Sequence, residues 1–334
     1  SDVYKRQGVR YVLEGSVRKS EDRVRITAQL IDANSGHHLW SERYDRELKD
    51  IFELQDEITM KIVIALQIKL TEGEQARMYA KLYDSLDLFL KSLEVTSLFL
   101  KGTKERIILT GQIGQELVSM YPKSPLGYET LAWYYWFIAT FGQSPKESMG
   151  KALKMAHKAL SLDGSDADIH ALLSTIFTWI RQYEKAIAAG EQSVALNPNG
   201  ARGHINLGSA LCYAGNINEG IDQINKAIRL KPFPNYFYFY NLGRCYRQKG
   251  LYKESLAEFK KALQRSPENI HNHMSLAAIY ALLDRHEEAE AAAKKVLEIN
   301  PNFSVERSSK AWPYKNQNDI KLFADALRKA GLPD

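Results

Sequence analysis

The residue types that catalyse reactions or bind metals are present in this sequence, but not at the spacings that such chemistry needs. His37 and His38 are adjacent without a nearby carboxylate or cysteine, so a solvated loop pair is the expected interpretation. His286 is followed by two glutamates, but the second histidine of an H-E-x-x-H zinc motif is missing. Glycine-rich phosphate loops and the G-x-S-x-G nucleophile motif are also absent from the sequence. We therefore predict no catalysis, no cofactor and no metal site in this chain.

Asparagine, arginine and aromatic side chains between residues 202 and 247 offer the chemistry of binding instead. Guanidinium groups can hold carboxylates by paired hydrogen bonds, and aromatic rings are frequent anchors of bound segments. Five aromatic residues follow one another from Tyr236 to Tyr240. They cannot all point into one core, because a helix rotates successive side chains about its axis. The elements that carry these residues decide which of them share a surface.

The second half of the chain repeats itself at intervals of 34, 35 and 34 residues. Four kinds of position recur in this step: a closing proline, a leucine followed by a small residue, a large residue three positions later, and a second small residue. They are Pro198, Pro232, Pro267 and Pro301; Leu173-Ser174, Leu207-Gly208, Leu242-Gly243 and Leu276-Ala277; Phe177, Leu211, Tyr246 and Tyr280; and Ala186, Gly220, Ser255 and Ala289. Small residues let two helices approach closely, and proline ends the second helix. Gly215 and Gly250 fall at the turn between the helices, where the backbone must be permissive.

This pattern resembles the tetratricopeptide repeat, and the stretch from Tyr240 to Pro267 shows all of its elements. The resemblance implies a mainly α fold, a solenoid of stacked helix pairs. Degraded repeats continue upstream, in residues 125–164 and in a more divergent pair closed by Pro122. At the other end, residues 319–332 predict an amphipathic helix that caps the last repeat with a polar outer face.

In tetratricopeptide proteins, an asparagine two residues before the small glycine often contacts the backbone of a bound peptide. Asn206 and Asn241 match that position, and Arg202, Arg244 and Arg247 are predicted to face the same groove. Arginines there could hold an acidic segment or a terminal carboxylate. This arrangement resembles a carboxylate clamp in part, because the lysines of the clamp are not matched. The alternative is that the asparagines belong only to the repeat consensus and the arginines are solvated.

Aromatic residues add to the predicted groove. Phe237 and Tyr240 are expected to face it, whereas Phe239 occupies a buried consensus position; the alternative is that the first two pack against the neighbouring repeat. The stretch from Trp133 to Phe137 is expected to fill the interface with the degraded repeats, and Trp179 could line the groove farther along. The predicted partner is thus a protein or peptide segment.

The first eighty residues follow a different period. Apolar and polar residues alternate from Val9 to Val17 and again from Val24 to Leu30, which predicts an antiparallel hairpin. A third strand is expected around residues 39–44. Apolar residues at helical spacing follow from Ile51 to Leu66, and residues 71–74 have the capping-box pattern that begins a helix.

Two interpretations of this thin domain remain: a complete small α+β module, or the latter half of a larger domain. The unpaired hairpin edge favours the second. The stretch "GVRYVLEGSVRKSEDRVRITAQLIDANSGHHLWSERYDRELKDIFELQDEI", residues 8–58, resembles part of the TolB-like domain of multidomain bacterial signalling proteins. In that family the domain precedes tetratricopeptide repeats and a closing segment like residues 314–334. The family's earlier strands and helix are not present in the sequence.

Residues 1–7 have no counterpart in that resemblance. "DVYKRQ" is what the DNA GATGTGTATAAGAGACAG encodes, and this DNA resembles a transposon end used to tag sequencing libraries. We therefore interpret these residues as a non-native leader, with the natural sequence beginning near Gly8. The alternative is a genuine basic lead-in.

The TolB-like resemblance implies three candidate functions. The best-known proteins with this architecture are class III adenylate/guanylate cyclases, in which it lies after the catalytic domain. The chain would then be a non-catalytic interaction or regulatory region of such an enzyme. The alternatives are the same region of a winged-helix transcription regulator or protein kinase, and a free-standing peptide-binding adaptor. The compartment is periplasmic if a membrane span lies upstream, and otherwise cytoplasmic.

Composition agrees with a globular, partner-binding chain. The 45 basic and 40 acidic residues are interspersed over 334 residues and leave a net charge of +5, so a concentrated nucleic-acid surface is not expected. No apolar run reaches the ~20 residues of a membrane span. Cys212 and Cys245 are too few for a disulfide framework, match no metal spacing and leave the redox compartment undecided. The expected organisation is a leader (1–7), a partial TolB-like α/β domain (8–72), a linker helix with a degenerate repeat (73–122), tetratricopeptide repeats (123–303) and a capping segment (304–334).

Overall fold

The computed structural model describes residues 11–21, 23–32, 37–47, 104–140, 145–231 and 234–334, with single positions at 88, 91, 92, 94, 95 and 98. The chain divides into two units, Ser1–Phe89 and Leu90–Asp334. Each unit is described separately below. The predicted leader, the apolar stripe of residues 51–66 and the capping box of residues 71–74 lie outside the described residues.

The described part of the first unit is a three-stranded antiparallel sheet. Its strands follow chain order: β1, Tyr11–Ser20; β2, Arg23–Asp32; and β3, His38–Glu47. The predicted hairpin is confirmed, and the third strand is longer than expected at both ends. Apolar alternation buries Val24 and Leu30 of β2 and Tyr44 of β3 on one face. Leu13 pairs with Leu30, yet its side chain is half exposed.

Thirteen helices form the described part of the second unit. They are α1 (Lys104–Met120), α2 (Pro125–Thr140), α3 (Pro145–Leu162), α4 (Ala167–Trp179), α5 (Tyr183–Leu196), α6 (Ala201–Ala214), α7 (Ile217–Leu230), α8 (Tyr236–Gln248), α9 (Tyr252–Arg265), α10 (Ile270–Leu282), α11 (His286–Ile299), α12 (Val305–Ala311) and α13 (Gln317–Lys329). Helices α4 to α11 are four successive antiparallel pairs with the predicted period. Among the described residues, no helix is both long and apolar enough to cross a bilayer.

The turn between the two helices of each pair requires a left-handed backbone. Gly215 and Gly250 have φ values of 99° and 78°, as their positions predicted. The equivalent turns of the first and fourth pairs use Arg181 and Asp284, with φ values of 59° and 56°. Non-glycine residues rarely adopt this conformation, so the turn is specified by the whole repeat and not by glycine alone.

Small residues bring the two helices of a pair into close contact. A Cβ atom added to Gly208 on α6 would lie 2.8 Å from the carbonyl oxygen of Gly220 on α7. At the position equivalent to Gly208 in the other pairs, Ser174 and Ala277 are completely buried. The predicted role of these small residues is therefore confirmed.

Cys212 on α6 and Cys245 on α8 form a disulfide, with Cα atoms 5.9 Å apart. The sequence had left these two cysteines unassigned. The two sulfurs are neighbours because both cysteines lie on the first helix of a repeat, one repeat apart. Both residues are completely buried. The bond therefore joins two successive repeats inside the core.

The C-terminal segment does more than cap the last repeat. Helix α13 packs Phe323 and Leu327 against the last helix pair, which agrees with the predicted cap. The preceding residues 310–316, here called the strap, run back across the first helices of the repeats. The side chain of Arg181 donates hydrogen bonds to the carbonyl oxygens of Lys310 and Trp312. The strap thus contacts residues that lie about 130 positions earlier in the chain.

Candidate functional site

The first helices of successive pairs, together with α2, α13 and the strap, enclose a cavity of about 120 Å³ that we call the aromatic chamber. Its lining contains no Asp, Glu, Lys or Arg. The lining residues are Trp136, Phe137, Thr140, Thr175, Thr178, Trp179, Asn206, Ser209, Tyr213, Tyr236, Phe237, Tyr240, Asn241, Asn269, His271, Met274, Trp312, Tyr314 and Phe323. A cavity of that volume has room for about one aromatic ring.

Asn206 and Asn241 both line the chamber, one repeat apart. The Asn206 Oδ1 accepts a hydrogen bond from the Thr175 hydroxyl at 3.2 Å, and no described residue accepts from its Nδ2. Asn241 is more fully bonded. Its Oδ1 accepts from the Ser209 hydroxyl and the Arg244 guanidinium, and its Nδ2 donates to the carbonyl oxygen of Phe237. Asn206 therefore keeps an amide donor available to a ligand.

Arg244 and Arg247 lie immediately behind the chamber wall. The guanidinium of Arg244 stacks 3.6 Å above the Tyr213 ring, and Arg247 stacks at the same distance on Phe323. Arg247 also donates to the Tyr314 hydroxyl at 2.5 Å. Both arginines are nearly completely buried. Within the described part of the chain, neither guanidinium contacts a carboxylate.

The structure places Phe237 and Tyr240 in the chamber wall, and Phe239 is buried as expected. The stretch from Trp133 to Phe137 packs into the core of the degraded repeat, as expected, and Trp136 and Phe137 also reach the chamber. Trp179 lines it too.

Burial shifts the pKa of four chamber side chains towards their neutral forms. Burial raises the pKa of Tyr236 to about 12, and burial also raises the pKa of Tyr213 and Tyr240. Burial lowers the pKa of His271, because the charged imidazolium is poorly solvated there. At neutral pH, the chamber wall is therefore an apolar and amide surface, with the positive charge of the two arginines behind it.

Arg202 lies apart from this group. Its Nη1 contacts Asp168 Oδ2 at 3.0 Å and Glu129 Oε1 at 3.2 Å, so it bridges α6, α4 and α2. Burial raises the pKa of Glu129 to about 7; Arg202 opposes this shift, and the nearby charge of Asp168 adds to it. Asp168 and Glu129 raise the pKa of Arg202, which burial opposes. The structure thus gives Arg202 two carboxylate partners, unlike Arg244 and Arg247.

The raised pKa of Glu129 predicts that the stability of the chain depends on pH. Its folded pKa of about 7 exceeds the ordinary 4.5, so the folded chain binds more protons, and this residue's contribution to stability falls as pH rises through that window. Glu129→Gln removes the titration. The free energy of unfolding of Glu129→Gln, minus that of the parent, is therefore expected to increase by roughly 1–3 kcal/mol from about pH 4.5 to pH 8, so that the variant becomes relatively more stable.

Thermal unfolding followed by circular dichroism over this pH range measures the effect. The exposed Glu290→Gln change is the control and should give a pH-independent difference. A constant difference between Glu129→Gln and the parent would contradict the assignment.

Within the described residues, no group of three His, Cys, Asp or Glu side chains could hold a metal ion. The chamber also lacks a paired nucleophile and base. What the arrangement offers chemically is a surface for binding.

Comparisons with known proteins agree with the helical repeat. Two family models described as tetratricopeptide repeat match residues 205–270 and 246–307. A protein of Rhizobium meliloti (strain 1021) named "Putative adenylate cyclase 3" is 36% identical over 191 residues, which are 55% of this chain. The chain covers 32% of that protein's length.

Solved structures agree with the fold alone. Human IFIT1, solved as a dimer with m7Gppp-AAAA, is similar with a TM-score of 0.55 and 14% identity, over 73% of this chain and 60% of that one. The APC/C hetero-tetramer Cut9-Hcn1 is similar with a TM-score of 0.50 and 17% identity, over 81% and 52%. The fold and the family models together show that this chain contains tetratricopeptide repeats, a class of helical repeat that is typically non-catalytic and binds proteins.

Proposed function

We propose that this chain is a non-catalytic interaction region of a bacterial signalling protein, and that its aromatic chamber binds an extended segment of a protein partner. One observation carries the proposal: the first helices of the repeats converge on an uncharged aromatic cavity whose wall presents the Asn206 amide. Extended peptides need donors and acceptors for their backbone and a pocket for a side chain. The chamber has both, with space for about one ring.

The signalling context is part of the same proposal. The relative named as an adenylate cyclase is 36% identical to this chain over 191 residues. We propose that the parent protein is a class III adenylate/guanylate cyclase with a TolB-like domain before the repeats, and that partner binding modulates its output. Sequencing the native locus upstream of the Gly8 codon tests this. An open frame that continues into a cyclase domain supports the assignment, and a different effector domain there contradicts it.

Partner binding is tested with the Asn206→Ala variant. Thr175 can still donate to the Ala171 carbonyl at 3.2 Å, so the change leaves the fold supported. Loss of one backbone contact to the ligand is expected to weaken binding by about three- to tenfold. The probe is an array of immobilised random dodecapeptides, followed by fluorescence anisotropy on the strongest binders.

The exposed Asn199→Ala change is the matched control and should leave these affinities unchanged. Equal affinities of Asn206→Ala and the parent, at unchanged melting temperature, would exclude Asn206 from the binding site.

A further inference from the structure

The chain's own strap occupies one side of the chamber. Trp312 and Tyr314 supply part of the lining, and the Tyr314 ring packs against Tyr213 with centroids 4.9 Å apart. From Trp312 onward the strap is not helical, and it lies where a partner segment is proposed to bind.

The strap is held in the manner of a bound peptide. The Tyr183 hydroxyl donates to the carbonyl oxygen of Pro313, and the Lys315 amide donates to the carbonyl oxygen of Tyr213. Arg181 donates to two further strap carbonyls. Most of these contacts involve the strap backbone, so a segment of different sequence could make them equally well.

The hydrogen bonds of Arg244 and Arg247 include no carboxylate among the described residues. Arg247 donates to a neutral hydroxyl, Tyr314 Oη, although a guanidinium bonds a carboxylate more strongly than a hydroxyl. Arg244 bonds only neutral oxygens of Ser209, Asn241 and Gln248, and its buried Nε has no partner. Two buried guanidinium groups without a carboxylate among the described residues are costly unless an anion compensates them. The Tyr314 hydroxyl accepts the Arg247 hydrogen bond that a carboxylate could otherwise accept.

We infer that the strap is a tethered, displaceable occupant of the chamber, and that the partner segment replacing it carries a carboxylate that binds Arg244 and Arg247. This inference rests on the proposed function and adds to it the chemistry of the partner and a built-in competitor. A tethered segment competes at an effective concentration of the order of mM. To displace the strap, a partner must therefore bind more tightly than the strap does, and its carboxylate supplies the contact with the arginines that the strap does not make.

Two synthetic octapeptides test the inference. Both have the sequence of residues 309–316, SKAWPYKN, one with Tyr314→Glu and the other with Tyr314→Gln. The full chain is tested as the parent and as Tyr314→Phe, which keeps the ring but removes the hydroxyl bond to Arg247. We expect the glutamate peptide to bind Tyr314→Phe about tenfold more tightly than it binds the parent, and about tenfold more tightly than the glutamine peptide does.

Three further variants keep the experiment decisive. Trp312→Ala removes from the tethered strap an aromatic anchor that both peptides retain, and should also strengthen binding of the glutamate peptide. Arg285→Ala changes an exposed arginine that does not contact the strap, and should have no effect. Adding Arg247→Gln to Tyr314→Phe should abolish the preference for glutamate. Melting temperatures identify any variant that fails to fold.

Equal affinity of the two peptides for Tyr314→Phe and for Trp312→Ala would overturn the inference, as would failure of both variants to bind either peptide. The array experiment with Asn206→Ala separates this failure from that of the proposed function. If Asn206→Ala weakens binding to the array while the two octapeptides bind with equal affinity, the proposed function is supported. Only the inference about the strap and the carboxylate is then wrong.

Discussion

Replacing Cys212 and Cys245 together by alanine is expected to lower the free energy of unfolding by about 3–4 kcal/mol, the value that loop-closure entropy gives for a bridge across 33 residues. The disulfide restricts the conformations of the unfolded chain. It does not alter the packing of the two helices that it joins in the folded chain. Chemical denaturation of the parent and of the double variant, each with and without dithiothreitol, measures the difference in the free energy of unfolding. The reduced parent should resemble the double variant.

The single variants provide the sharper control. If the bridge is formed, Cys212→Ala alone removes it, so the single and double changes should have similar effects, far from additive. Two free thiols should appear in the denatured parent only after reduction. Two reactive thiols in the unreduced, denatured chain, together with additive single effects, would contradict the disulfide.

The Gly208→Ala change is expected to lower the free energy of unfolding by about 1–3 kcal/mol, as overpacking of a core does. The added methyl group would lie 2.8 Å from the Gly220 carbonyl oxygen and 2.7 Å from Cγ1 of Ile224. Backbone atoms cannot rotate away as a side chain can, so α6 and α7 would have to separate. The melting temperature followed by circular dichroism measures the loss.

Gly150 is the matched control for Gly208. It is an exposed glycine inside α3, with nothing within 4 Å of a Cβ placed there. Gly150→Ala should therefore raise stability by about 0.5–1 kcal/mol, from helix propensity alone. Two substitutions of identical chemistry would then have opposite signs. Equal effects of the two changes would show that the α6–α7 contact is less close than described.

The repeats could be predicted because each consensus position has one structural role. A small residue between two helices, a large residue in the gap and a permissive turn recur at one period. The same logic missed Arg181 and Asp284, because the left-handed turn is imposed there by the packed pair and does not depend on glycine. The buried pairing of Cys212 with Cys245 was also missed, since no disulfide framework is visible from two cysteines.

The candidate site was predictable only as far as the repeat register extends. The register placed Asn206, Asn241, Phe237 and Tyr240 on one wall, and the structure has them there. It could not show that Arg202 turns to Glu129 and Asp168, since those carboxylates come from other repeats. Nor could periodicity indicate the strap, because residues 310–316 lie outside the repeat and meet the chamber only through the fold.

The strap has a further consequence, for the way this solenoid folds. A repeat array with contacts only between neighbours can unfold progressively from its ends. Here Arg181 is bonded to residues 129 and 131 positions later in the chain, so these contacts of the early repeats form only when the last part of the chain docks. Contacts of such long range slow folding. They also couple the two ends of the array, so the repeats spanned by the strap should lose their structure cooperatively, with little fraying of single repeats.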